Sequence, residues 1–281
     1  MSATALFRGM DRAALDAAYN NTAAVKDSPE WLQKYRTRSA PARTKPRVKP
    51  DIPYAPGERT KLDYFPVDAK SAPLVVFIHG GYWVRNSRDM FSYLAEGPNA
   101  HGINAAIVGY TLAPEARLSR IVDEISQSLT FLQLQAGDLG FDASRIFVSG
   151  WSAGGHLAAK ACEHPAVRGA LPISGIFDLE PVSLNYLNES LQLTPDDIET
   201  LSPLRRLRKG LPPQRLVVGE DELPELKRQT RDYALAARKI GLDVSDRVLP
   251  GHHHFSIIDE LAKPDGMITQ ELLKLITDAK I

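Results

Sequence analysis

The sequence of 281 residues predicts an α/β fold with a mostly parallel central sheet flanked by helices. Short apolar runs with strand character alternate with segments of helical spacing, which is the pattern of parallel sheets. Residues 74–78 are apolar at every position, as expected of a strand buried on both faces. Glycine, serine and histidine motifs directly follow several of these runs. They therefore lie beyond the carboxyl ends of the strands, where such folds bind ligands.

Composition limits the partners and the compartment. Hydrophobic residues make up 43% of the chain, and Lys plus Arg equals Asp plus Glu at 34 each. No basic excess indicates nucleic acid or an anionic membrane as a partner. The single cysteine, Cys162, has no second cysteine for an internal disulfide. Residues 1–10 lack a signal-peptide pattern, and no run approaches the roughly 20 apolar residues of a membrane span. We expect a cytoplasmic protein.

The chain is expected to form one domain over residues 1–281, with two smaller helical or irregular elements. Residues 1–40 are predicted to be helical in two pieces, the first capped by Asp11 and the second beginning after Ser28. Three prolines within residues 41–50 predict an extended connector. Residues 183–210 form an irregular insertion that is a candidate cap over the site.

The remaining elements follow from apolar spacing and from turn residues. Strands are predicted over residues 74–78, 103–110, 145–149, 169–173, 215–218 and 244–249, and helices over 88–100, 118–135, 153–163, 224–240 and 266–279. In the helix over 118–135, the apolar positions at helical spacing include Leu132 and Leu134. Gly241 is expected to end the helix over 224–240, because glycine favours the left-handed conformation found there.

The run GWSAG at residues 150–154 lies between a predicted strand and a small-residue helix. This context is typical of a nucleophile elbow, in which a sharp turn exposes a serine hydroxyl at the sheet edge. We therefore predict Ser152 as a nucleophile. A small-residue turn without chemistry is the alternative for the five residues taken alone.

The run HGGYW at residues 79–83 follows the apolar strand over 74–78. Acyl transfer needs donors for an oxygen that becomes negative, and backbone N–H groups supply them. Glycines let the main chain approach the substrate closely. We expect donors at Gly81 and Tyr82, with Gly80 as a further candidate and Ala153 after the serine. His79 precedes the serine, so we expect a structural role for it.

The run GHHHF at residues 251–255 follows the last predicted strand, which is where a triad base belongs. Chemistry alone leaves three adjacent histidines as candidates, and a metal cluster is the rival interpretation. No second cysteine and no HExxH motif accompanies them, so we expect no metal and no organic cofactor. The acid is expected after the strand over 215–218. There, chemistry alone does not rank Asp221 over Glu222.

Together these motifs resemble a known family. HGGYW is similar to the HGGxW signature of kynurenine formamidases (arylformamidases), which are α/β-hydrolases related to the hormone-sensitive lipase group. The run PELKRQ at residues 224–229 resembles the P-E-F-x-R-Q segment after that family's catalytic acid. The alignment favours Glu222 as the acid, with Asp221 in reserve. His254 matches the histidine of the family's N-H-F motif and is expected to be the base.

Two departures from the family pattern bear on the substrate. His253 stands where the family commonly has asparagine, and a glutamate acid is one methylene longer than aspartate. The resemblance implies an α/β-hydrolase fold and acyl transfer through an acyl-enzyme.

The sequence leaves several substrates open. We expect a small aromatic formamide, such as N-formylkynurenine, or a short-chain acyl ester, because aromatic residues cluster near the motifs. The expected pocket residues are Tyr82, Trp83, Trp151, Tyr19, Trp31 and Tyr186. The alternatives are a general short-chain carboxylesterase and a non-catalytic binding protein of the same fold. Besides the small-molecule substrate, a second copy of the chain in a homodimer is a candidate partner.

Overall fold

A computed structural model of the chain describes residues 5–279. Two short ranges lie outside the described residues: 1–4, at the start of the predicted N-terminal segment, and 280–281, at the end of the predicted domain. The described residues form an eight-stranded sheet in the order β1-β2-β4-β3-β5-β6-β7-β8. The strands are β1 (Lys49–Pro53), β2 (Lys61–Phe65), β3 (Ala72–Ile78), β4 (Asn104–Val108), β5 (Phe141–Trp151), β6 (Val167–Ile173), β7 (Gln214–Gly219) and β8 (Val244–Leu249). Strands β3 to β8 run parallel to one another, and β2 pairs antiparallel with both β1 and β4.

Helices connect the strands and cover both faces of the sheet. They are α1 (Arg12–Ala18), α2 (Asn21–Ala24), α3 (Ser28–Arg43), α4 (Glu96–Ala100), α5 (Leu118–Leu134), α6 (Ala136–Leu139), α7 (Ala153–Ala161), α8 (Glu180–Ser183), α9 (Asn188–Leu191), α10 (Pro195–Leu201), α11 (Pro224–Lys239), α12 (Asp259–Ala262) and α13 (Met267–Asp278). Two 3₁₀ segments span Arg88–Ala95 and Pro203–Arg206. The predicted α/β fold is confirmed.

The central strand β3 shows why both layers form. All seven of its residues are buried, and successive side chains point to opposite faces. Val76 and Ile78 join a core that also holds the apolar side of α5 and α7. Val75 and Phe77 join a second core with the first 3₁₀ segment and α13. The carboxyl end of β3 is therefore held from both faces.

Two strands were not anticipated from the sequence. β1 contains two prolines and two charged residues, and most of it is exposed. Such a strand is tolerated only at a sheet edge, where missing N–H donors face solvent. β2 has only five residues, two of them charged, and its antiparallel pairing with β4 defines it as a strand. Both lie on the side of the sheet away from β8.

Three other predictions need correction. The residues expected to form an extended connector over 41–50 begin as helix, because α3 continues through Pro41 to Arg43 before β1 starts at Lys49. The helix predicted over 88–100 is a 3₁₀ segment up to Ala95 and an α-helix only from Glu96. Leu134 ends α5 with 78% of its surface exposed, so it does not belong to the buried stripe.

The segment 183–210 contains short helices that pack on the N-terminal segment. The backbone N–H of Tyr186 donates to Asp16 at 2.8 Å, and Arg12 contacts Glu189 at 3.3 Å. Leu187 and Leu191 are buried in the core. The segment therefore joins α1 to the body of the protein.

Helix α7 packs unusually close to β3. A Cβ atom on Gly154 would lie 2.0 Å from the carbonyl oxygen of Ile78 and 2.7 Å from that of His79. Backbone atoms cannot yield as a side chain can, so this position admits only glycine. The close approach sets α7 directly against the end of the strand that leads into the HGGYW loop.

We predict that Gly154→Ala destabilises the protein by about 3 kcal/mol, because the added methyl group overpacks against fixed backbone. Gly137→Ala is the matched control, since a Cβ atom there meets no atom within 4 Å. It should leave stability unchanged or raise it by up to about 1 kcal/mol. Urea unfolding of both variants measures the difference; equal midpoints would contradict the packing argument.

Candidate active site

Ser152 occupies a strained turn between β5 and α7. Its backbone has φ of +59° and ψ of −119°, a conformation that L-residues rarely adopt. Strain of this kind costs about 1–3 kcal/mol and persists only where the surroundings enforce it. The N–H of Ser152 donates to the carbonyl of Ile173 at 2.8 Å, which ties the turn to the end of β6. The predicted strand, serine and helix are present in this order.

His254 and Glu222 form a buried pair beside this turn. Nδ1 of His254 lies 2.7 Å from Oε2 of Glu222, and the two residues are 3% and 4% exposed. The second carboxylate oxygen, Oε1, accepts from Oγ of Ser174 at 2.5 Å and from the N–H of Gly219 at 2.8 Å. A buried carboxylate is costly unless it is hydrogen-bonded, and these contacts meet that need. Asp221 is exposed.

The three adjacent histidines have different surroundings. His254 alone pairs with Glu222. Nδ1 of His253 accepts from the N–H groups of Phe255 and Ser256, both at 3.2 Å, which closes the loop around the base. His252 turns toward Glu260, 3.8 Å away. Residues 5–279 contain no group of three or more histidine, cysteine or carboxylate side chains arranged to hold a metal ion.

Two aromatic residues hold the backbone of the histidine loop. Nε1 of Trp151 donates to the carbonyl of His254 at 2.8 Å, and the two rings lie 4.9 Å apart. The hydroxyl of Tyr35 in α3 donates to the carbonyl of Phe255. Because Trp151 directly precedes Ser152, one residue fixes both the serine turn and the loop that carries His254.

The predicted oxyanion donors lie next to the serine. A Cβ atom on Gly80 would come within 3.0 Å of Cβ of Ser152, so the glycine permits the loop to pass this close. Among residues 5–279, no hydrogen bond uses the N–H of Gly81, Tyr82 or Ala153. Asn86 donates from Nδ2 to the carbonyl of Gly80 at 3.1 Å and holds the loop in place.

His79 lies behind this loop and is fully buried. Its ring stacks on Tyr110 with centroids 4.3 Å apart, and Nδ1 lies 2.9 Å from the carbonyl oxygen of Gly80. Burial lowers the pKa of His79 to about 4, so the ring is neutral at pH 7. These contacts fit the expected structural role.

A cavity of about 30 Å³ adjoins the serine. Its wall consists of Asn21, Thr22, Leu32, Gly81, Tyr82, Arg85, Asn86, Trp151, Ser152, His254 and Phe255. Ser152 and His254 lie at its buried end, whereas Thr22 and Arg85 are exposed. The cavity is therefore narrow at the serine and opens at Thr22 and Arg85.

The structure brings two of the six predicted pocket aromatics, Tyr82 and Trp151, into the cavity wall. Trp83 instead is fully buried in the core and packs edge-on to His156, with ring centroids 5.0 Å apart. Tyr19 lies behind Tyr82 and accepts the hydroxyl hydrogen bond of Tyr82 on its carbonyl oxygen at 2.5 Å.

The other two aromatics lie away from the wall. Trp31 sits against His253, with ring centroids 5.3 Å apart, and donates from Nε1 to Asp27 at 3.0 Å. Tyr186 is half-buried, and its hydroxyl reaches the carbonyl of Tyr19 at 3.5 Å. Neither is among the residues that line the cavity.

Asn21 contributes a polar group to the cavity wall that sequence reasoning missed. Burial raises the pKa of Tyr82, so its hydroxyl stays protonated and donates to Tyr19. The hydroxyl can then only accept from Asn21, 2.9 Å away, which assigns Nδ2 to that contact. Oδ1 of Asn21 is buried without a partner in the described part of the chain.

Ser174 is a second residue that sequence reasoning missed. It follows β6 directly, as Ser152 follows β5, and it also has a left-handed backbone with φ of +51°. The sequence does contain a signal for Ser174, because it is a polar residue at the carboxyl end of a buried strand. Asn21, in contrast, lies in a short helix far from the motifs in sequence and gives no such signal.

Comparison with known proteins identifies the family. The chain is 31% identical over 250 residues to a kynurenine formamidase of Danio rerio, covering 84% of each protein. The chain belongs to the kynurenine formamidase family. A kynurenine formamidase of Drosophila melanogaster is 28% identical over 224 residues, covering 72% of each. The BD-FAE family model matches residues 62–166, which include both the HGGYW and the GWSAG runs.

Solved structures agree with this kynurenine formamidase family assignment. A structure from Silicibacter sp. tm1040, whose description proposes a thioesterase, superposes with a TM-score of 0.83 at 30% identity, covering 94% of this chain and 98% of that chain. A carboxylesterase from a metagenomic library, at 20% identity, shares the fold with a TM-score of 0.75, covering 91% and 97%. The protein is thus an α/β-hydrolase acting on small molecules. Within residues 5–279, no helix combines the length and apolarity needed to cross a membrane.

Glu222→Gln is expected to lower kcat by about 10³–10⁴-fold, because an amide cannot stabilise the charged imidazole that forms during acyl transfer. Asp221→Asn is the matched control: the same chemical change, one residue away, on an exposed side chain. It should alter kcat little. Steady-state hydrolysis of p-nitrophenyl acetate by both variants decides between them, and a larger loss in Asp221→Asn would reverse the assignment.

Proposed function

We propose that this protein hydrolyses small aryl formamides, with N-formylkynurenine as the leading substrate, through a formyl-enzyme on Ser152. The observation that carries the proposal is the 2.7 Å contact of Glu222 with Nδ1 of His254 beside a narrow cavity that contains Ser152. The kynurenine formamidases among its relatives support the same chemistry.

In the proposed acylation step, His254 acts as the base. Glu222 accepts a hydrogen bond from Nδ1–H and holds the imidazole in this tautomer, so the lone pair of Nε2 is free to take the proton of the Ser152 hydroxyl. The serine oxygen bonds to the formyl carbon, and the carbonyl electron pair moves to the oxygen. When the pair returns, the C–N bond breaks and the aryl amine leaves with the proton from His254.

Deacylation repeats these steps with water. His254 removes a proton from water, the resulting oxygen attacks the formyl ester, and Ser152 leaves with a proton from His254. Formate is the second product. In both steps we assign the free N–H groups of Gly81, Tyr82 and Ala153 to the negative oxygen, since fixed donors need no reorganisation as the charge develops.

The cavity favours a small acyl group on a flat leaving group. Ser152 and His254 lie at the buried end of the cavity, which favours a small acyl group over a long acyl chain at the serine. Tyr82 and Trp151 offer aromatic faces on the way out. A general short-chain carboxylesterase, the second candidate, uses the same catalytic residues, and the esterases among the structural neighbours share the fold.

Asn21 favours the amide over the ester. Asn21 lines the cavity, its Oδ1 is a buried acceptor without a partner among residues 5–279, and a formamide carries an N–H that an ester lacks. A site with a buried acceptor penalises the substrate that leaves the acceptor unpaired. We propose that Asn21 accepts this N–H hydrogen bond.

The N-terminal segment is proposed to act as a roof within a single-domain protein. Asn21, Thr22 and Leu32 supply one side of the cavity wall, and the segment 183–210 braces α1 from behind. A cytoplasmic location also remains a proposal, supported by a single buried cysteine, Cys162.

Ser152→Ala is expected to lower formamide and ester hydrolysis by about 10⁴-fold or more, because the nucleophile is lost. A fluorophosphonate probe should label the parent protein and not the variant. The decisive measurement is kcat/KM for N-formylkynurenine, p-nitrophenyl acetate and longer alkyl esters. Turnover of the esters alone would favour the carboxylesterase, and full activity in Ser152→Ala would refute the assignment of the nucleophile.

Asn21→Leu should reduce the preference for amides about tenfold, because leucine has a similar volume and no acceptor. Formanilide and phenyl formate are the matched substrates, since they differ only in N–H against oxygen. Asn21→Leu also removes the hydrogen bond to the Tyr82 hydroxyl, and this loss affects both substrates alike. The ratio of their kcat/KM values therefore reports only the loss of the Oδ1 acceptor. An unchanged ratio would show that Asn21 does not contact the amide.

A further inference from the structure

Arg85 is the exposed cationic side chain in the cavity wall, and it has no acidic partner. It lines the same cavity as Ser152 and is exposed where the cavity opens. Within residues 5–279, no carboxylate lies within 4.0 Å of its guanidinium. Its neighbour Arg88 is bound by Asp51 and Asp63 instead. Of these two nearby arginines, Arg85 is the one whose charge is unpaired.

The base of this side chain lies beside the HGGYW loop. The backbone N–H of Arg85 donates to the carbonyl of Gly81 at 3.1 Å, and a Cβ atom on Gly81 would lie 2.9 Å from Cγ of Arg85. Burial raises the pKa of Tyr82 and of Tyr186, and the charge of Arg85 opposes the rise at both hydroxyls.

The acidic side chains around the cavity already have other hydrogen-bond or ion-pair partners. Glu222 is buried and shared by His254, Ser174 and Gly219. Glu225, behind Tyr19, is held by Arg228 through two contacts of 2.8 Å. Asp16, which acts on Tyr186 together with Arg85, is held by Arg12 at 2.8 Å, and no carboxylate oxygen of residues 5–279 lies within 4.0 Å of the Arg85 guanidinium. Because the chain as a whole has no net charge, the positive charge at the opening comes from Arg85 itself and not from an overall excess of basic residues.

We propose that Arg85 binds a carboxylate on the leaving group and makes the enzyme selective for aryl formamides that carry a carboxylate over those that lack one. This inference rests on the proposed function and names the feature of the substrate that the opening recognises. The formyl group occupies the narrow end at Ser152, the aromatic ring lies against Tyr82 and Trp151, and the acidic substituent reaches the guanidinium. Guanidinium groups suit this task because their planar fork matches a carboxylate.

The contact binds a part of the substrate that does not react. It is therefore as strong in the ground state as in the transition state, and its loss should raise KM more than it lowers kcat. Because Arg85 is exposed to solvent, added salt should weaken its contact with the substrate carboxylate.

The test compares 4-(2-formamidophenyl)-4-oxobutanoate, which is N-formylkynurenine without its amino group, with 2-formamidoacetophenone, a neutral formamide with the same aryl ketone. Arg85→Gln should lower the ratio of kcat/KM for the anionic to the neutral substrate about tenfold, chiefly through KM. Arg85→Lys should restore part of this ratio. Arg36→Gln is the control, because Arg36 is exposed, lies in α3 and is not part of the cavity wall. It should leave the ratio unchanged.

A second measurement separates this inference from the proposed function. Inhibition of p-nitrophenyl acetate hydrolysis by kynurenine and by 2-aminoacetophenone gives a Ki ratio that needs no formamide turnover. Arg85→Gln should raise the Ki of kynurenine selectively, and added salt should do the same in the parent protein. Equal effects on both inhibitors, or none, would overturn the role of Arg85 even if formamides are hydrolysed. Absence of formamide turnover in the parent protein would overturn the proposed function instead.

Discussion

The hydrogen bond from the N–H of Ser152 to the carbonyl of Ile173 holds a left-handed backbone at the point where β5 meets α7. That conformation is unfavourable for serine, so it survives only because three central strands fix both sides of the turn. Gly154 lets α7 approach the end of β3, and Gly80 lets the next loop pass against the serine side chain. The position of the hydroxyl, the free N–H groups beside it and the shape of the cavity all depend on this one turn.

The pair formed by His254 and Glu222 depends on the same sheet edge. The loops after β6, β7 and β8 meet there and bring Ser174, Gly219 and His254 to one carboxylate. An ionised carboxylate out of contact with water needs such donors, because the low-dielectric interior offers no other solvation. Trp151 links this group to the serine turn through the carbonyl of His254. The nucleophile and the base are therefore held by one connected set of contacts.

Selectivity comes from parts of the chain outside the sheet. The N-terminal segment provides Asn21 and Leu32 to the cavity wall, and Tyr19 holds the hydroxyl of Tyr82. Arg85 extends from the loop that also carries the proposed oxyanion donors. The residues at the sheet edge carry out the acyl transfer, whereas the roof and the opening determine which substrate binds. The same fold can therefore support many activities.

The sequence by itself determined the parallel sheet, the order of its helices, and the serine, histidine and glycine motifs at the strand ends. Local spacing and turn chemistry are enough for these, because a buried strand and a helix leave different periodicities. The motif resemblance favoured Glu222 over Asp221, and the tertiary structure shows its contact with His254. Only the tertiary structure decided that Trp83 packs in the core and that Asn21 and Arg85 reach the cavity. It also decided the pairing of β2 with β1, whose prolines and charges hide it as a strand. Each of these depends on which residues from distant parts of the chain pack together, and a linear pattern carries no such information.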